Sequence, residues 1–179
     1  MLDQSQLSEL FTRHGFTDFR WLHSRDIVVA QWVRIKCMFG CANYGQNATC
    51  PPNVPTVVEC RVFINEYTSA VIFHIPKQVD HPEDRHEWSK GINIELLKLE
   101  RVIFLAGHPK AFMLAMDNCN LCTECPGQRS ECKHPKLARP SPEALAIDVF
   151  STVRQCGYPI EVLTDYTQTM NRYAILLIE

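Results

Sequence analysis

Apolar positions along the chain recur with two periods. Between Asp3 and His14, Leu7, Leu10 and Phe11 share one helical face, and Gly15 is placed to end the helix. Ile27, Val29, Val33 and Ile35 alternate as the positions of a strand should, interrupted by Gln31, and predict a strand ending near Lys36. Thr56-Val57-Val58-Glu59 has the form of a capping box, so a helix is expected from Thr56 to about Tyr67. Ala70 to Ile75 reads as a buried strand stopped by Pro76, followed by a polar loop from Lys77 to His86. From about Trp88 to Ala106, Ile92, Leu96, Leu99 and Ile103 step at helical spacing until Gly107-His108-Pro109. Ala111 to Met116 forms a short apolar strand. Ser141-Pro142 supplies an N-cap and a first-turn proline for a helix that carries Leu145, Val149 and Val153 inward and stops at Gly157. Ile160 to Leu163 and Tyr173 to Ile178 read as final strands.

Strands alternating with helices predict one α/β domain over residues 1–179, with a mostly parallel sheet and flanking helices. Cysteine-rich loops at about residues 37–55 and 118–140 each follow an expected strand, ending near Lys36 and Met116. In parallel sheets ligands gather beyond the carboxyl ends of the strands, so both loops are expected on one rim. The chain is 46% hydrophobic, which supplies an ordinary core without cross-links. No signal peptide and no bilayer-length apolar run is visible, and the expected location is the cytoplasm. A formal charge of −2 carries no basic stripe, so neither nucleic acid nor membrane is an expected partner.

The chain has nine cysteines, and all but Cys156 fall into two groups. An odd count in a chain of this size argues against a disulfide framework. The sharper group is Cys119-x2-Cys122-x2-Cys125 followed by Cys132. The run brings three thiolates round one tight turn and matches the opening of a bacterial ferredoxin motif. Its fourth cysteine comes later than in that motif, and Pro126 follows Cys125 directly. The expected occupant is a [4Fe–4S] cluster on Cys119, Cys122, Cys125 and Cys132, with zinc as the alternative. His134 is either a substitute ligand or a loop histidine packed beside Pro135.

Cys37-x3-Cys41, Cys50 and Cys60 form the looser group. Tyr44 stands where a radical-SAM motif needs its third cysteine, which removes that reading. Two arrangements stay open: all four hold a second cluster, or Cys37, Cys41 and Cys50 hold one with an open iron. Cys60, in the first turn of its expected helix, is otherwise a small buried core residue. Cys156 reads as core. Arg129, Lys133, Lys136 and Arg139 surround Cys132, either as a solvated loop or to offset the charge of a thiolate-ligated cluster. No nucleophile elbow, zincin motif, P-loop or dinucleotide fingerprint is present, and no residue is singled out as catalytic.

These residues also carry a resemblance. Cys37-x3-Cys41-x-Asn43-Tyr44-Gly45, Cys50-Pro51-Pro52, the triple-cysteine run, Cys132-x-His134-Pro135, Arg139-Pro140-Ser141 and Ile147-Asp148-Val149 resemble a cysteine-rich, predicted metal-binding family of unknown function from anaerobic bacteria and methanogenic archaea. The resemblance covers about Val33 to Ile178. It implies metal or iron–sulfur binding through Cys37, Cys41, Cys50, Cys119, Cys122, Cys125 and Cys132, and no reaction. Glycines often precede the second cysteine group in that family; Asp117 and Asn118 stand there here. The function expected is iron–sulfur redox or electron transfer in anaerobic metabolism, with a redox partner protein. The alternatives are a zinc-pinned interaction module or a cluster enzyme with an open iron acting as a Lewis acid.

Overall fold

The computed structural model of the chain describes residues 1–165 and 167–179. Five helices surround four strands: α1 Gln4–Arg13, β1 Phe19–His23, α2 Gln31–Gly40, α3 Val57–Asn65, β2 Ser69–Lys77, α4 Asp84–Leu105, β3 Phe112–Leu114, α5 Val149–Gln155 and β4 Met170–Leu177. The sheet order is β1-β2-β4-β3, and every neighbouring pair is antiparallel. The expected α/β composition stands, but the expectation of a mostly parallel sheet is wrong. β2 and β3 are each antiparallel to β4, so they run parallel to one another across the α4 connection. The C-terminal strand is inserted between them. A split βαβ unit of this kind looks like a parallel pair in sequence order and contains no parallel ladder in space.

Burial alternates along the central strands and fills two cores. Ala70, Ile72, Tyr173, Ile175 and Leu177 face α3 and α5, with Cys60, Ile64 and Val153 packed on them. Val71, Phe73, Ala174 and Leu176 face α1 and α4, against Leu7, Phe11, Leu96, Leu99 and Ile103. With helices on both faces, residues 70–73 and 174–177 are all fully buried. β2 continues through Pro76 to Lys77 rather than stopping at the proline. β1 has ended opposite Phe73, so one flank of β2 is unpaired there and a residue without an N–H is tolerated.

Three further expectations are corrected. The segment read as a strand to Lys36 is helical from Gln31; of its apolar residues Val33 is buried and Ile35 exposed, while Val29 makes only an isolated bridge to Ile147. The helix expected from Ser141 divides in two. Ser141 Oγ accepts the Ala144 N–H at 3.2 Å and caps a single 3₁₀ turn, Ala146 turns left-handed at φ 61°, and Asp148 caps α5 by accepting the Ser151 N–H at 3.0 Å. Ile160–Leu163 is not a strand. The capping boxes at Asp3 and Thr56 are both formed.

The base of the second cysteine loop is anchored to α4. Asn93 donates Nδ2 to the Met116 carbonyl at 2.8 Å and accepts the Met116 N–H at 3.1 Å, and the Ala115 N–H meets the Pro140 carbonyl at 3.0 Å. Asn93 is 4% exposed, so its replacement by alanine orphans two buried backbone groups. Asn93→Ala is expected to lower stability by about 1–3 kcal/mol in urea unfolding. A change near zero would show that water reaches Met116.

Candidate metal centre

Local geometry delivers the first cysteine group in two pieces. Cys37 lies in the last turn of α2, and Cys41 caps that helix, its N–H on the Cys37 carbonyl at 3.2 Å. Cys50 sits in a buried turn organised by Asn47, whose Oδ1 accepts the Thr49 N–H at 3.0 Å and its hydroxyl at 2.9 Å. Arg34 ties α2 to the start of α3 and to the 3₁₀ turn at Glu143–Leu145, donating to the carbonyls of Pro55 at 3.1 Å and Ala144 at 3.0 Å. Cys60 is fully buried on α3, where its thiol faces the Pro55 carbonyl at 3.5 Å and Arg34 rather than the other thiols.

The second group follows β3. Asp117 takes a left-handed backbone, φ 58°, a conformation that glycine adopts freely and aspartate more readily than most residues. Asn120 Nδ2 then reaches Ser89 Oγ at 2.9 Å, and a 3₁₀ turn at Arg129–Glu131 presents Cys132. Arg139 closes the loop on Glu100, with Nε at 2.9 and 3.2 Å from the two carboxylate oxygens. Cys119, Cys122, Cys125 and Cys132 line one small cavity, with His134, Asn47, Ala48 and Thr49 completing its wall.

The two loops are packed on each other. Asn47 Nδ2 donates to the Cys119 carbonyl at 2.8 Å, Asn53 Nδ2 to the Gly127 carbonyl at 2.6 Å, and the Ala48 N–H points at Cys125 Sγ at 3.3 Å. The expected meeting of both groups on the rim of a parallel sheet fails in its premise, because Cys37 lies within a helix rather than after a strand and the sheet is antiparallel. Direct hydrogen bonds between the loops bring the groups together instead. Cys50 lies between them: burial, with Cys37, Cys41, Cys119 and Cys125 nearby, pushes its thiol up to about 12. Burial likewise raises the thiols of Cys37 and Cys119, with the neighbouring cysteines adding to it. A metal taken up here must displace protons, so binding strengthens as pH rises.

Cys37 and Cys41 also face a cleft of about 490 Å³. Its floor carries Asp117, loosely paired with Arg172 at 3.8 Å and Arg85 at 4.0 Å, and Glu143. Glu143 is exposed to solvent there. The half-buried thiol of Cys156 lies apart, near Arg20.

Ser89, Asn93 and Glu100 were not anticipated. All three are buried polar residues on the sheet-and-loop side of α4, holding Asn120, Met116 and Arg139 in turn. Their spacing of four and seven along a helix is visible in the sequence and was the available signal. Among the described residues no three Cys, His, Asp or Glu side chains converge on a single ion. The four cysteines of the second group frame a shared cavity, an all-thiol donor set with a backbone N–H aimed at one sulfur, and these residues fit a thiolate-ligated cluster.

Two thiol-bearing loops are locked together on an α/β scaffold. The chain belongs to the family described as "Predicted metal-binding protein (DUF2284)", whose model matches residues 20–178. No curated protein and no solved structure matches the chain.

Proposed function

We propose that the protein is an iron–sulfur protein acting in redox or electron transfer in anaerobic metabolism, with Cys119, Cys122, Cys125 and Cys132 as the ligands of a [4Fe–4S] cluster. The observation that carries this reading is the common cavity lined by those four cysteines, closed by Ala48, whose N–H points at Cys125 Sγ. Such a cluster supplies a one-electron couple whose potential is set by hydrogen bonds to sulfur, net charge and solvent exposure. The chain's own part is to hold four thiolates, to direct the Ala48 amide at one of them, and to place Lys133 and His134 at the rim. Zinc in the same four thiolates is the structural alternative.

A second reading is favoured by the cleft at Cys37 and Cys41. Cys37, Cys41 and Cys50 are near one another, and Cys60 is committed to the core and to Pro55. Two thiolates facing a cleft of about 490 Å³, with the buried Cys50 thiol beside them, suit a centre with a position left for a small ligand.

Anaerobic purification with iron, acid-labile sulfide and zinc analysis tests both readings. A brown protein containing iron and sulfide is expected. Cys41→Ser is expected to remove the metal of the first group, and Cys60→Ser to leave metal content nearly unchanged. A colourless protein with stoichiometric zinc and no sulfide would overturn the redox reading. Equal losses from Cys41→Ser and Cys60→Ser would make the first site a closed four-cysteine one.

A further inference from the structure

Helix α4 carries two apolar stripes, and only one is used by the core. Leu96, Leu99 and Ile103 are buried under the sheet, while Ile94, Leu97 and Phe104 run along a groove of about 850 Å³ between α4 and the strap 133–139. Leu137 faces it from the strap; Phe104 is 51% exposed and Leu137 50%. The rim is cationic. Five basic side chains and one carboxylate line the groove, and the carboxylate, Glu100, is held by Arg139. That leaves Lys98, Arg101, Lys133 and Lys136, of which Lys98 also meets Glu95 at 2.7 Å. This concentration of positive charge stands on a chain whose formal charge is −2. An apolar centre with a charged rim is the anatomy of a protein interface, and a rim of one sign selects a partner of the other.

The position of the groove says which acidic partner it suits. Leu121 and His134 line both the groove and the four-cysteine cavity, so one wall is shared between them. We propose that this groove is the docking surface for a small acidic electron-carrier protein, seated with its apolar contact on Phe104 and Leu137 and its carboxylates over Arg101, Lys133 and Lys136. The partner's redox character rests on the iron–sulfur reading above; its acidity rests on the groove alone. The exposed face of α2, with Trp32, Met38 and Phe39, is equally apolar but offers only Lys36 as a charge and nothing that selects a partner.

The test is calorimetric titration of the protein as purified with oxidised plant-type ferredoxin, a small acidic carrier, and with cytochrome c, a basic one. At an ionic strength of about 0.01 M, where exposed charges interact over roughly 30 Å, ferredoxin is expected to bind and cytochrome c not to. Arg101→Glu with Lys136→Glu is expected to weaken ferredoxin binding at least about tenfold, as is raising the salt to about 0.15 M. Phe104→Ser should weaken it without changing the salt dependence. Lys36→Glu, the same charge change on α2, should leave it within about twofold. Failure of the wild-type protein to bind ferredoxin, or binding unaffected by the Arg101, Lys136 and Phe104 changes, overturns the surface. Binding by a chain that contains zinc and no sulfide upholds the surface and overturns the redox reading. Binding by an iron–sulfur form, with faster reduction of the protein by reduced ferredoxin than in the Arg101→Glu, Lys136→Glu variant, upholds both.

Discussion

Cys122→Ser is expected to lose the metal of the second cysteine group and to open residues 118–140 to proteases while the α/β core stays folded. No residue from Asp117 to Leu137 is buried, and the one regular element there is the 3₁₀ turn before Cys132. Each ordered residue costs about 1–2 kcal/mol of backbone entropy, and a hydrogen bond returns about 1 kcal/mol. Apart from the Arg139–Glu100 pair at its C-terminal end, Arg129 to the Pro135 carbonyl, Asn120 to Ser89 and the contacts with the Asn47 turn are too few to hold so long a segment. Metal binding then doubles as folding free energy for the loop. The two cores on either side of the sheet contain no residue of this segment, so they are insulated from its loss. Limited proteolysis with metal analysis and far-UV circular dichroism checks this. A metal-free variant cleaved no faster than the parent would show the loop to be self-supporting.

Much of the fold was legible because local signals and tertiary demands agreed. The box at Thr56 and Glu59 and the helical spacing of Leu96, Leu99 and Ile103 each specify a helix that the core then uses. Ile27 to Ile35 went wrong where composition outweighed period. Its β-branched residues suggested a strand, but only Ile27 and Val33 are buried, and residues from Gln31 satisfy their backbones as a helix. Strand β1 escaped notice because Phe19 to His23 shows no clean alternation of buried and exposed positions. Strand direction was not legible at all. Helix α4 does connect two parallel strands, and only the later insertion of β4 between them makes every ladder antiparallel.

For the metal centre, spacing along the chain identified the cysteines, and it could not say how the two groups meet. That depends on Asn47, Ala48 and Asn53, whose bonds reach across some seventy residues of sequence. Asp117 shows the same limit in one residue: nothing in its identity announces the left-handed backbone it adopts at the start of the loop. The cleft beside Cys37 and Cys41 is also a product of tertiary structure, since its lining comes from α2, the 3₁₀ turn at Glu143, α5 and β4.

Glu100→Ala is expected to destabilise the protein by about 3–5 kcal/mol, the cost of breaking a buried ion pair from one side. Glu100 is 8% exposed and accepts from three directions: Arg139 Nε at 2.9 and 3.2 Å, Arg139 Nη2, and the Met113 N–H at 2.9 Å. Alanine leaves the Met113 amide orphaned and a guanidinium charge enclosed against Phe112, 5.3 Å from the ring centroid. The pair ties the C-terminal end of the cysteine loop to α4, so metal affinity at Cys132 should fall with stability. Glu100→Gln keeps an acceptor for Met113 and one for Arg139 and is expected to cost less than alanine. Because the pair is shielded from solvent, added salt should not reproduce the loss. Urea unfolding of the metal-loaded variants measures this, and thermal unfolding should show a fall in midpoint temperature of roughly 10 °C for alanine. A loss below about 1 kcal/mol would mean that the Lys136 and Ala138 carbonyls and the Phe112 face hold Arg139 without help, and that the anchor of the loop is Asn93 and Pro140 alone.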